Sequence, residues 1–128
     1  VDWDSKNELE GNFDVAGGTA WKSHVKTELA TAITAAEFQS DDPKKVAVCW
    51  SGFLNIPYSP VGENRYEIAV EGAVFRFVPA ADEMGAGLSG FDVRVKDVDK
   101  VKKNAEARGL EVKGDCINIC RTRVRLVE

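Results

Sequence analysis

The sequence is short of most of the residues that usually announce a chemistry. It has one histidine, three cysteines and one methionine in 128 residues, and no Cys-X-X-Cys pair. His24 with Cys49, Cys116 and Cys120 makes no zinc set of familiar spacing, and an odd number of cysteines makes no disulfide framework. Reduced thiols in a cytoplasmic setting follow. No run of 18 apolar residues is present, which excludes a transmembrane helix, and no charged-then-apolar start of the secretory kind occurs. A basic excess is also lacking: 17 basic residues face 21 acidic ones, a net charge of −4. That argues against nucleic-acid binding, which depends on neutralising phosphates. The chain opens at Val1 rather than Met, as a processed or excerpted piece of a longer protein does. What is present is 44% hydrophobic and 30% charged positions, enough for one compact domain or two small repeats sharing a core. A chain of this length buries about two thirds of its unfolded surface.

Residues 1–32 contain Trp3, Trp21, Gly17-Gly18 and the only histidine without sustained periodicity, and read as an extended lead-in that contacts a partner subunit or another domain. Residues 33–40 read as a strand. Asp41-Asp42-Pro43 then supplies a helix N-cap followed by proline in the first turn, and Val46, Trp50, Phe53 and Leu54 recur at helical spacing over 43–54. Pro57 and Pro60 stop that helix. Residues 65–71 and 73–78 alternate as two strands broken at Gly72, a hairpin. The second half repeats the plan. A strand over 90–96 places Phe91, Val93 and Val95 on one face. A helix from Asp97-Val98-Asp99 runs through Val101, Ala105 and Leu110 with Gly109 as terminator, and three short strands cover 111–113, 116–120 and 123–127.

The halves superpose. Asp42-Pro43-Lys44-Lys45-Val46 lies over Asp97-Val98-Asp99-Lys100-Val101 at an offset of 55, which puts Glu37 on Asp92. Val74-Phe75-Arg76-Phe77-Val78 lies over Arg123-Val124-Arg125-Leu126-Val127 at an offset of 49. Duplication at this period points to two modules, 33–80 and 89–128, joined by a glycine-containing linker at 81–88.

A repeated β-α-β-β-β unit of this size resembles the vicinal-oxygen-chelate superfamily of glyoxalase I, bleomycin-resistance proteins and extradiol dioxygenases. The carriers of the resemblance are Gly90-Phe91-Asp92-Val93-Arg94-Val95-Lys96-Asp97-Val98-Asp99-Lys100-Val101 with Ala105-Glu106-Ala107-Arg108-Gly109-Leu110, and Gly72-Ala73-Val74-Phe75-Arg76-Phe77. It implies an α+β fold, a curved mixed sheet with helices on its outer face, and pairing of modules within or between chains, so that a homodimer or docking to another module is expected. Metal-using members hold an ion in the concave cup with a His on each module's first strand and a Glu on each last strand. Here the His positions fall at Ala35 and Gly90 and the Glu positions at Arg76 and Arg125. Arginine offers only positively charged donors, so the resemblance implies that the usual metal site is lost and that no cofactor is held.

Strand alternation then assigns the cup face. With Phe91, Val93 and Val95 toward the helix, Asp92 and Arg94 face the cup, as do Glu37 and Gln39 by the repeat, and Arg76, Arg123 and Arg125. The guanidinium fork suits carboxylate and phosphate, so one reading is a metal-free pocket for a small polar or anionic molecule. The other is that Glu37 and Asp92 neutralise arginines across the sheet. Two alternatives in function accompany it: a lyase, isomerase or dioxygenase whose metal ligands come from a partner chain, and a structural domain completing a larger or dimeric assembly. Catalysis by this chain alone is left open. The remaining conspicuous residues read as packing: Cys49 as a small buried hydrophobe, Cys116 and Cys120 as inert thiols, and Trp50, Phe53, Phe75, Phe77, Phe91 and Leu126 as core.

Overall fold

The computed structural model describes residues 18–128, so Trp3 and the first half of the expected lead-in lie outside the described residues. A 3₁₀ turn, Ala20–His24, precedes the main body, with His24 exposed. Two β-α-β-β-β modules follow: β1 (Ala30–Ser40), α1 (Pro43–Leu54), β2 (Ser59–Gly62), β3 (Arg65–Val70) and β4 (Ala73–Pro79), then β5 (Gly87–Val95), α2 (Val98–Glu106), β6 (Glu111–Lys113), β7 (Cys116–Ile119) and β8 (Thr122–Val127). All eight strands form one mixed sheet in the order β2-β3-β4-β1-β5-β8-β7-β6. The order is a palindrome about the β1–β5 boundary. In each half the first strand runs parallel to the last, and the two first strands meet antiparallel. The fold is thus α+β with an internal pseudo-twofold between the modules.

Both helices begin where their caps dictate. The Asp42 carboxylate accepts the Lys45 amide at 3.0 Å with Pro43 in the first turn, and the Asp97 carboxylate accepts the Lys100 amide at 2.8 Å. Each bond satisfies an amide that the helix itself leaves unpaired. The second helix ends earlier than its periodicity suggests. Gly109, at φ +73°, reverses the chain, and the Leu110 amide bonds back to the Ala105 carbonyl at 3.0 Å. Leu110 therefore reaches the core from beyond the helix, the usual geometry of a glycine-terminated helix end.

Each helix covers its own module. One core gathers Ala47, Ile68 and Phe77 with Phe38, Trp50, Leu54 and Phe75 around them. The other gathers Val95, Ala105, Ile117, Val124 and Leu126 with Phe91, Val93 and Val101. Phe38, Trp50 and Phe77 form a mutually packed trio: Phe38 stacks on Phe77 (ring centroids 5.7 Å apart) and meets Trp50 at a tilt (5.0 Å), with Trp50 6.1 Å from Phe77. Two expectations for α1 are corrected. Phe53 is 82% exposed rather than core, and Cys49 is exposed rather than buried. Ala47, Trp50 and Leu54 already define the inward stripe; position 53 falls on its flank and position 49 on the outward side. Cys120 also leaves the strand. With Arg121 it forms the β7–β8 turn, both residues at positive φ. Strand β2 is an addition to the expected elements: Pro60 is tolerated because β2 is the sheet edge, where a missing amide costs no ladder bond.

The candidate functional site is a charged cup

The face opposite the helices carries the charged residues, and strand register decides who meets whom. Parallel pairing of β1 with β4 sets Glu37 beside Arg76, and the same pairing of β5 with β8 sets Asp92 beside Arg125. These are the two pairs that the offsets of 55 and 49 superpose. Antiparallel β1 and β5 then bring both sets to the middle of the sheet, with Ala35 opposite Asp92 and Glu37 opposite Gly90. The symmetry fails at one place. On β3, Glu67 lies opposite Arg76, whereas on β7 the corresponding position opposite Arg125 is Cys116.

That difference separates the two arginines. The Arg76 side chain is only 14% exposed and every edge of its guanidinium is engaged. Its Nε donates to Glu67 Oε1 at 3.0 Å, and its Nη1 and Nη2 donate to Asp92 Oδ1 and Oδ2 at 3.3 and 3.1 Å. Nη1 also lies 3.6 Å from Glu37 Oε2. Burial alone would make the guanidinium easier to deprotonate, but the hydrogen bonds it donates to Asp92 and Glu67 outweigh it and hold the charge still more firmly than usual. Arg125 is 42% exposed, and its nearest carboxylate oxygen is Glu37 Oε2 at 3.9 Å. That is an ion pair at the outer limit of contact, with little energy in it.

Arg123 ties the cup to the linker between modules. Its Nη2 donates to Glu37 Oε1 at 3.0 Å and to Gln39 Oε1 at 3.3 Å, and its Nη1 lies 3.6 Å from Asp82. The Gln39 amide in turn donates to Asp82 Oδ1 at 2.6 Å and to the Gly85 carbonyl at 2.9 Å. Asp82 is held below the ordinary carboxylate range, first by the Gln39 hydrogen bond, then by the Met84 amide, with Arg123 and Arg121 adding to it. Inside the cup, Glu37, Glu67 and Asp92 balance Arg76, Arg123 and Arg125, three charges against three.

Of the residues assigned to the cup from sequence, Glu37, Gln39, Arg76, Asp92, Arg123 and Arg125 come together. Arg94 stays exposed and takes no part in the network among the described residues. Two participants were missed. Glu67 was available from the sequence: a two-residue turn at Glu71-Gly72 pairs Val70 with Ala73, and counting outward from it places 67 opposite 76. Asp82 had no such signal, because only the path of the linker brings it to Gln39.

A metal of the kind the resemblance implies does not fit these residues. Ala35 has no donor and is buried. At Gly90 a Cβ would lie 2.4 Å from the Arg123 carbonyl oxygen, so this backbone admits no imidazole there. Arg76 and Arg125 fill the two carboxylate positions with cations. Among the described residues no three His, Cys, Asp or Glu side chains converge closely enough to hold an ion.

The paired modules and their shared concave face define the vicinal-oxygen-chelate fold. In overall structure the chain is similar to methylmalonyl-CoA epimerase from Mycobacterium tuberculosis (16% identity, TM-score 0.61, 81% of this chain and 91% of that one). It is also similar to homoprotocatechuate 2,3-dioxygenase from Brevibacterium fuscum (17% identity, TM-score 0.57), where 76% of this chain matches 36% of that one. Another methylmalonyl-CoA epimerase matches over 79% of this chain and 97% of its own, at 14% identity and a TM-score of 0.55. No family model and no curated protein matches the sequence. At these identities the likeness is one of fold, and neither named activity carries over with it.

Proposed function

We propose that this glyoxalase-like chain binds a small polar molecule bearing an anionic group in its cup, without a metal, at Arg125 with Arg123 beside it. The observation that carries the reading is the unequal use of the two symmetric arginines. Arg76 has its donors committed to three carboxylates, whereas Arg125 keeps a half-exposed guanidinium with one carboxylate at 3.9 Å. A carboxylate or phosphate approaching Arg125 gains a charge-assisted, two-pronged contact and breaks almost nothing. A cavity of about 150 Å³ lies against Arg123 and Cys116, the residue opposite Arg125, and is lined also by Lys113, Asn118 and Glu111. Titration with acetate and inorganic phosphate, followed by amide chemical shifts, tests this. Arg125→Ala is expected to weaken binding about tenfold or more, the loss of one charge-assisted contact. Equal, weak binding by the native protein and Arg125→Ala would remove the pocket.

The setting proposed with it is a cytoplasmic homodimer. Free cysteines support a reducing compartment, and among the described residues no helix is long and apolar enough to cross a membrane. A second copy covering Phe53 and the exposed Ile33 would account for their exposure; a monomeric mass in solution would remove the dimer.

A further inference from the structure

The two modules fill equivalent rows of the cup with different charges, and the difference shows what the open half lacks. In the first module one row across the strands reads Ser59 on β2, Glu67 on β3 and Arg76 on β4. In the second it reads Lys113 on β6, Cys116 on β7 and Arg125 on β8. Residues in register across a sheet share a face, so each row is a line of three neighbouring side chains. The first line has an acid beside its arginine and is neutral overall. The second has a neutral thiol in the middle and a base at each end.

We propose that the cup takes a small dicarboxylate laid along this second line, one acid group on Arg125 and the other on Lys113, with Cys116 as the uncharged floor that admits it. This rests on the anion-binding reading and adds to it the second charge of the ligand.

Arg125 is 42% exposed with its nearest carboxylate at 3.9 Å, so its fork is open to one acid. Lys113 is 79% exposed, and its 2.7 Å contact with Glu111 lies between exposed side chains. An ammonium has three donors, so Lys113 keeps Glu111 and takes a second carboxylate as well. Two strand steps separate the Lys113 and Arg125 backbones by about 10 Å. With each charged head above its own strand, contacts of about 2.8 Å at either end leave about 4 Å between the outer oxygens of the ligand. That is the span of a chain with one or two carbons between its acid groups. The cavity against Cys116 is lined by Lys113, Asn118 and Arg123, so the line is not filled by side chains.

Cys116 acts here through its lack of charge. A carboxylate in its place would hold Arg125 as Glu67 holds Arg76, at 3.0 Å, and would repel the ligand. A diacid supplies from solution the charge that Glu67 supplies from the chain.

Succinate against succinamate, the same chain with one acid replaced by a neutral amide, isolates the second charge. Titrations followed by amide chemical shifts, at ionic strength matched with NaCl, compare the native protein with Lys113→Ala, Arg125→Ala and Cys116→Glu. The native protein is expected to bind succinate about tenfold more tightly than succinamate, the effect of one further charge-assisted contact. Lys113→Ala brings the two ligands to within about twofold of each other. Cys116→Glu weakens succinate about tenfold or more, and the dispersion of the same amide spectra shows whether each variant is folded. No preference for succinate in the native protein, a preference that survives Lys113→Ala, or native-like succinate binding by a folded Cys116→Glu overturns the proposal. Succinamate binding that depends on Arg125 without any preference for the diacid overturns the dicarboxylate and keeps the anion pocket, whereas binding indifferent to Arg125→Ala removes both.

Discussion

Glu37 is the most connected carboxylate of the cup, and neutralising it measures what the ion-pair network contributes to the fold. Its side chain is 9% exposed and sits 3.0 Å from Arg123, 3.6 Å from Arg76 and 3.9 Å from Arg125. Glu37→Gln keeps shape, volume and one acceptor, so Ser89, whose hydroxyl donates to the Glu37 carbonyl at 3.1 Å, stays in place. The charge is removed and one acceptor oxygen becomes an NH2 donor, and three guanidiniums then face two carboxylates. Breaking a fully buried pair costs about 3–5 kcal/mol. Water reaches Arg123 and Arg125, and Arg76 retains Asp92 and Glu67, so the loss here is reduced to about 2–3 kcal/mol. For a domain of this size that is a fall in Tm of about 8–15 °C. Urea denaturation followed by tryptophan fluorescence, with an unchanged slope against denaturant, assigns the loss to the native state. The comparison is Glu111→Gln, which removes a still shorter contact to Lys113 (2.7 Å) between two exposed side chains and is expected to leave the melt unmoved. A Glu37→Gln protein melting within about 2 °C of native would show that the cup pairs are surface pairs in effect, and that burial has been given too much weight.

The close approach of β5 to β8 makes Gly90→Ala a second test: the added methyl meets the Arg123 carbonyl at 2.4 Å, a backbone atom that cannot swing aside. Overpacking of this kind costs about 1–3 kcal/mol, and an unchanged denaturation midpoint would mean the strands part freely. The third concerns acid. Because the Asp82 carboxyl is held below its ordinary range, chiefly by Gln39, its contribution to holding the linker is complete above the unfolded aspartate value of about 3.9. It is lost as the pH falls through the lower folded value. NMR titration of the Asp82 carboxyl is expected to give a midpoint below that value, with the Gln39 side-chain amide and the Met84 amide moving at the same midpoint. A midpoint at or above it refutes the latch.

Much of this arrangement was legible in one dimension because local rules are stringent. Asp42-Pro43 and Asp97 cap their helices by contacts three residues away, and Gly72 and Gly109 turn the chain where a side chain is disfavoured. The duplication needed only two offsets to be counted, and the sheet register then placed Glu37 with Arg76 and Asp92 with Arg125. Phe53 and Cys49 were misread because a helical apolar stripe has a width that periodicity does not measure, and Pro60 hid β2 because an edge strand follows looser rules than a central one.

The amino-acid order determined the modules, their caps and the identity of the charges on one face, since each depends on neighbours a few residues apart or on alternation along a strand. Which arginine became a fixed strut and which stayed open was decided only by the assembled sheet. The choice rests on Glu67 against Cys116 two strands from the centre and on an antiparallel β1–β5 junction that lets Arg76 reach the other module's Asp92. Electrostatic partnership is a property of distance through space and of exclusion from water, and neither exists until the eight strands are side by side.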